Sequence, residues 1–203
     1  MRTSPILVRT IREQIVDHLR QEILCGSYKE GAALREQLLA AKYGVSRGPI
    51  RDALLQLTKE GLLMAEPNRG VKVRPKPSEK SRALLVKIRR EIEVYALREI
   101  FPQIGPGDLA EWEANLESFK TACKNNDMPA VIHHDMAFHR SILQKAGDEV
   151  LVAIWLPLIT HLVLPYSRHQ KLIESYEEHC DVFEAIKAGN LKKAITALEA
   201  NIQ

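Results

Sequence analysis

GVSRGPIRDALLQLTKEGLL, residues 44 to 63, reads as a tight turn, a helix and the entry to a strand. Gly44 is free to take the positive φ that a short interhelical turn demands. Ser46 is placed to cap the following helix by accepting a hydrogen bond from one of its orphan N–H groups. The helix is expected to begin at Arg47. Pro49 falls in its first turn, where the N–H that proline lacks has no intrahelical partner, and Gly61 closes the other end. Ile50, Ala53, Leu54 and Leu57 recur at helical spacing and make a buried face, while Arg47 and Arg51, four apart, project together elsewhere. Two arginines at the start of a helix suit a nucleic-acid groove. Their planar fork of donors pairs with phosphate or, bidentately, with the N7 and O6 edge of guanine. Most charged helix faces are merely solvated, but the flanking sequence argues for a more specific role.

Upstream, Glu36, Leu38, Leu39, Ala40 and Tyr43 trace an amphipathic helix that ends at Gly44, giving a helix-turn-helix unit. Downstream, LLMAEPNRGVKVRP, residues 62 to 75, alternates apolar residues around Pro67, Asn68, Arg69 and Gly70, the pattern of a hairpin with a basic tip. Residues 7 to 74 therefore resemble the winged helix-turn-helix domain of the GntR family of bacterial transcription regulators. Gly44 to Arg47, Pro49, Arg51, Ala53, Leu54, Glu60 to Leu62, Arg69 and Gly70 carry the resemblance. It implies that Arg47 and Arg51 contact DNA from the recognition helix, and that Arg69 and Gly70 approach the minor groove from the wing tip. Ser46, Arg35 and Gln37 complete the expected DNA-binding set. Gln37 stands where many relatives carry an arginine and Gly48 where Thr is usual, so no operator sequence carries over.

Charge divides the chain of 203 residues unevenly. Residues 1 to 76 hold 14 Lys and Arg against 8 Asp and Glu, net +6, whereas the remainder holds 15 against 18, net −3. A basic half favours phosphate contact. The boundary is expected in RPKPSEK, residues 74 to 80, where two prolines exclude a helix and Ser78 can cap the next one. This gives two domains: 1–76, a winged helix-turn-helix, and 77–203, an all-helical effector-binding and dimerisation domain. No signal-peptide-like run and no stretch of eighteen apolar residues occurs, so a cytoplasmic protein with no membrane partner is expected. Cys25, Cys123 and Cys180 are odd in number, widely spaced and without a CxxC pair, which suggests neither a disulfide framework nor a zinc ribbon.

Beyond residue 79 the pattern is helical, with segments near 79–101, 107–125, 128–146, 148–164, 169–188 and 190–202, separated by PQIGPGD, KNND, AGDE, LPYS and AGN. The fold class is mostly α: three helices with a small β-hairpin wing, followed by an antiparallel all-α bundle. Bundles build sites from side chains on facing helices, so inward polar residues attract interest. Asp135 and His139 lie one turn apart beside Phe138 and Ile142. His179 shares an apolar face with Phe183 and Ile186. A carboxylate and imidazoles in such places hold a metal ion or form a hydrogen-bonded core network, and either reading fits the pattern alone.

Residues 79 to 203 also resemble the FCD ligand-sensing domain of the FadR branch of the same family. Many of its members hold a metal with Asp, a His one turn later and two further His from the last two helices. Asp135, His139 and His179 match the first three positions, and Asn201 stands at the fourth. Two readings follow. In one, a divalent ion is held by Asp135, His139 and His179, with Asn201, water or the effector completing the set; zinc comes first, and nickel or manganese would accept the same donors. In the other, no metal binds, and the same residues bind an effector directly or make a buried polar network. Arg89 lies in KIRREIEVYAL, which resembles the helix lining the family's effector pocket, where it would clamp a carboxylate. The plainer reading is a surface i, i+4 ion pair with Glu93. The resemblance implies a homodimer on a roughly palindromic double-stranded DNA operator. Repression is the expected sign, and a small organic acid the expected effector. A metal-dependent repressor with the ion as signal is the nearer alternative. A metal-dependent enzyme is the more distant one, since no HExxH or nucleophile motif accompanies the cluster.

Overall fold

The computed structural model describes residues 10–67, 69–163 and 172–203. The chain packs as two compact units, Met1–Lys76 and Pro77–Gln203.

The first unit contains α1 (Ile11–Leu24), β1 (Ala33–Leu34), α2 (Glu36–Tyr43), α3 (Arg47–Lys59), β2 (Leu63–Glu66) and β3 (Gly70–Val73). Thr10 starts α1 with a reciprocal capping box. Its hydroxyl accepts from the Glu13 amide, and the Glu13 carboxylate accepts from the Thr10 amide. Gly44 sits at φ 65° and turns the chain from α2 into α3. Ser46 occupies the N-cap of α3 in extended geometry, but its side chain makes no capping hydrogen bond, which corrects the role expected for it. Gly61, at φ 84°, carries the chain away from α3. α1 and α2 both pack on α3. They bury Leu19, Ile23, Ile50, Ala53 and Leu57 with the strand-entry residues Leu62 and Leu63. Each such leucine or isoleucine side chain contributes about 1.5–3 kcal/mol through its removal from water. Of the apolar residues of α2, Leu39 is buried and Leu38 is 66% exposed.

The hairpin is the expected wing, but it belongs to a three-stranded antiparallel sheet of order β1-β3-β2. Leu63 pairs with Val73 and Glu66 with Gly70. On the other edge Leu34 pairs with Val71. Arg20 on α1 grips Glu60 at the end of α3 at 2.9–3.0 Å and also reaches Asp17, tying the first helix to the third.

The second unit is a helical bundle of α4 (Glu79–Ile100), α5 (Pro106–Lys124), α6 (Met128–Lys145), α7 (Glu149–Val163), α8 (Leu172–Lys187) and α9 (Leu191–Asn201), with a short 3-10 turn at Phe101–Gln103. The expected break at LPYS, 164–167, lies outside the described residues. Ser78, Asp127 and Asn190 cap α4, α6 and α9, each accepting a backbone N–H. α4 packs on α6, α7 and α9, α5 on α6 and α8, and α8 on α9. Trp112, Phe119, Phe138, Ile142 and Trp155 fill the interior. Two α4 arginines hold carbonyls from elsewhere in the bundle. Arg82 donates to Leu162 and Gln203, at 3.0 and 3.1 Å, and Arg90 donates to Ile202 at 2.8 Å. Among the described residues no helix is long and apolar enough to cross a membrane.

Candidate functional site

Five helices of the second unit bring polar side chains into its core. Asp135 and His139 come from α6 and His179 from α8, and all three are buried. Their ligand atoms lie within 4.8 Å of one another. His139 Nε2 and His179 Nε2 are 3.2 Å apart, and His179 Nε2 is 3.4 Å from Asp135 Oδ1. The opposite ring nitrogens define this arrangement. His179 Nδ1 donates to the Ser175 carbonyl at 2.6 Å, and His139 Nδ1 donates to the Glu93 carboxylate at 2.6 Å. With both Nδ1 protons committed, the two rings turn their Nε2 atoms toward each other beside a carboxylate. A buried histidine that donates its far N–H to a carboxylate or carbonyl is the usual support of a metal ligand. The donor set of two imidazoles and one carboxylate thus fits a divalent cation such as zinc. Phe119 and Phe138 present their rings to His179 at 5.1 and 5.2 Å and help wall the cluster.

Asn201, on α9, meets His179 on its Nδ1 side, with the amide nitrogen 3.3 Å from that atom and 3.4 Å from Glu178. Its Oδ1 is buried without a partner. The structure therefore groups three ligand atoms and sets Asn201 against the other nitrogen of one of them. An unpartnered buried acceptor is costly, and it is available to a donor or a cation.

Arg89 is not on the surface, as a plain i, i+4 pair would place it: it is 5% exposed. Its Nε donates to Glu93 Oε1 at 2.7 Å, while Nη2 is buried with no partner. Glu93, which sequence reasoning left as a surface partner, is fully buried and central. It accepts from Arg89, from His139 and, at 2.6 Å, from Trp155 Nε1 on α7. Burial pushes its carboxyl up, but Arg89 and His139 outweigh this and hold it at about 2. The spacing from Arg89 gave the pair away. Its burial depends on α6 and α7, which no local pattern reports.

In the first unit, Arg35, Gln37, Ser46, Arg47, Arg51, Arg69 and Gly70 are all exposed. Arg35, Gln37, Arg47, Arg51, Arg69 and Gly70 line one cleft of about 660 Å³ between α2, α3 and the sheet. Within it, the Glu36 carboxylate accepts from Arg47 and Arg51, both at 3.1 Å. Glu36 was not among the expected site residues.

A winged helix-turn-helix unit joined in one chain to a helical unit with a buried polar site is the build of a DNA-binding transcription regulator. Residues 11–73 match the gntR family of bacterial regulatory proteins and residues 84–203 match the FCD domain. The chain belongs to the GntR family, in its FCD-domain branch. A probable D-xylose utilization operon transcriptional repressor of Paenarthrobacter nicotinovorans is 28% identical, over 98% of this chain and 89% of its own. The gluconate operon transcriptional repressor of Bacillus subtilis is 25% identical, over 93% and 80%. In fold, the chain is similar to the solved structure of E. coli McbR/YncC, with a TM-score of 0.79 at 24% identity, covering 97% of this chain and 95% of that one.

Proposed function

We propose that this GntR-family regulator is a ligand-responsive repressor. Its helical unit holds a divalent metal at Asp135, His139 and His179, and binds a small organic acid beside it. The observation that carries the metal reading is the convergence of two Nε2 atoms and the Asp135 carboxylate within 4.8 Å of one another, with both Nδ1 protons donated elsewhere. The ion would supply Lewis acidity and positive charge for an acid's carboxylate. Arg89, whose buried Nη2 lacks a partner, would take a second oxygen. Asn201, on the Nδ1 side of His179, would offer its unpartnered Oδ1 to the effector. Arg47 and Arg51 read the major groove, supported by Ser46, Arg35 and Gln37, and Arg69 with Gly70 approaches the minor groove from the wing tip. The repressor names of two relatives support the sign.

Homodimerisation on a roughly palindromic operator is supported by an uncovered apolar stripe in the second unit. Leu84, Ile88 and Tyr95 on α4, and Val150 and Ile154 on α7, are 39–65% exposed on two helices that pack together. Effector and operator are then linked through a coupling free energy of about 1–3 kcal/mol.

Elemental analysis of full-length protein, purified without chelator or metal-affinity tag, tests the metal alongside an Asp135→Ala/His139→Ala variant. Near-stoichiometric metal in the parent, lost in the variant, is expected; an apo parent that takes up none on reconstitution refutes the reading. Operator binding titrated with metal alone separates a sensor of organic acids from one for which the ion is the signal. A metal-induced change in operator affinity without any acid would favour the latter.

A further inference from the structure

Three charges meet on the DNA-reading face, and their geometry is specific. Glu36 Oε1 accepts from Arg51 Nε at 3.1 Å. Oε2 accepts from Arg51 Nη2 at 3.3 Å and from Arg47 Nη2 at 3.1 Å. The carboxylate thereby occupies the side edge of the Arg51 guanidinium, the edge formed by Nε and Nη2. The end edge, formed by Nη1 and the second hydrogen of Nη2, stays free. That end edge carries two parallel donors at the spacing of guanine N7 and O6.

We propose that Glu36 is a specificity residue of this face: it buttresses Arg51 and Arg47 so that the free edge of Arg51 meets a guanine, and it penalises indiscriminate phosphate binding. The proposal rests on the reading of Arg47 and Arg51 as DNA contacts. Both arginine side chains are more than 60% exposed and, unbuttressed, would sample many rotamers, whereas Glu36 is 26% exposed and anchored as the first residue of α2. The hydrogen bond from Arg51, followed by that from Arg47, holds its carboxyl below the usual carboxylate range. It is therefore charged at neutral pH. A negative charge in a cleft that faces DNA repels phosphates, so it weakens binding wherever no base contact repays it. Exposed ion pairs of this kind add little to folding. Glu36 is thus a residue whose effect should be read in DNA selectivity rather than in stability.

The test uses the full-length protein, an operator duplex selected by it from a random pool, a scrambled duplex, and operator copies carrying 7-deazaguanine at single guanines. Affinities are read by fluorescence anisotropy at one fixed salt concentration. Glu36→Gln is expected to lower the operator-to-scrambled affinity ratio about tenfold, largely by tighter binding to the scrambled duplex. The penalty for losing one guanine N7, about tenfold in the parent, is expected to fall below about threefold in the variant. A ratio within about twofold of the parent, or an equal loss on both duplexes, overturns the proposal. Arg51→Ala separates the two claims. If it leaves operator affinity unchanged, the reading of the helix fails; if it weakens binding while Glu36→Gln is silent, only the role of Glu36 fails.

Discussion

Replacing Glu93 by glutamine should destabilise the helical unit by an amount that can be worked out in two ways. The carboxylate accepts from Arg89, His139 and Trp155 while fully buried. The neutral amide has one oxygen for three donors and turns an NH2 group on the rest. Holding the carboxyl at about 2 rather than at its ordinary 4.5 corresponds to a stabilisation on the order of 3 kcal/mol at neutral pH. Removing one member of a buried ion pair, which strands the other, typically costs about 3–5 kcal/mol. Because the folded-state carboxyl is depressed, this stabilisation is complete above about 4.5 and drains away as pH falls towards 2. The parent should therefore lose stability across that window and the variant should lack this component of the acid limb. Trp112 and Trp155 are the only tryptophans and both lie beyond residue 77, so tryptophan fluorescence during urea unfolding reports this unit alone. With chelator present, the midpoint at neutral pH should fall by roughly 1–3 M. A midpoint within about 0.3 M of the parent would refute the view that Glu93 is the keystone of the buried charge network.

Three other outcomes follow from the same geometry. Thr10→Ala, which removes a formed capping box, should cost about 1 kcal/mol, whereas Ser46→Ala, which removes no capping bond, should stay within about 0.5 kcal/mol; hydrogen exchange of α1 and α3 amides measures both. Gly44→Ala meets no atom within 4 Å but forces a side chain into φ 65°, so the loss, read by the same exchange, should be about 1–2 kcal/mol and purely backbone in origin. Zinc at a hundredfold excess over its dissociation constant should raise the stability of the helical unit by about 2.7 kcal/mol, and His139→Ala should abolish the gain.

Much of this architecture was legible in local patterns. α3 announced itself through Gly44, Pro49, the apolar spacing of Ile50, Ala53, Leu54 and Leu57, and Gly61, because turn, first-turn proline and helical period all act within a few residues. Asp135 and His139 could be placed on one face by the same period. What escaped was tertiary. β1 is two residues long and has no period to read; it exists because Leu34 pairs with Val71. Leu38 looked like part of an apolar face, yet the face of α2 that packs on α3 is carried by Leu39 and Ala40. Glu93 lay in plain view at i, i+4 from Arg89. Only Trp155 and His139, 62 and 46 residues further on, turn an ordinary surface pair into a buried hub. Glu36 was counted as a helix start, since the distance to Arg51 is a property of the turn between two helices.

The distribution of charge along α4 has a consequence for building hybrids. One helix carries Arg89 and Glu93 into the buried network, and Arg82 and Arg90 to the carbonyls of Leu162, Ile202 and Gln203. It is also the helix that follows the chain segment from Arg74 to Ser78 directly. A chimaera that borrows a winged-helix unit from a relative should therefore be joined within residues 74 to 78. A splice more than three turns later would import foreign residues at Arg82, Arg89 and Arg90 and dismantle the helical bundle while leaving the winged-helix unit intact.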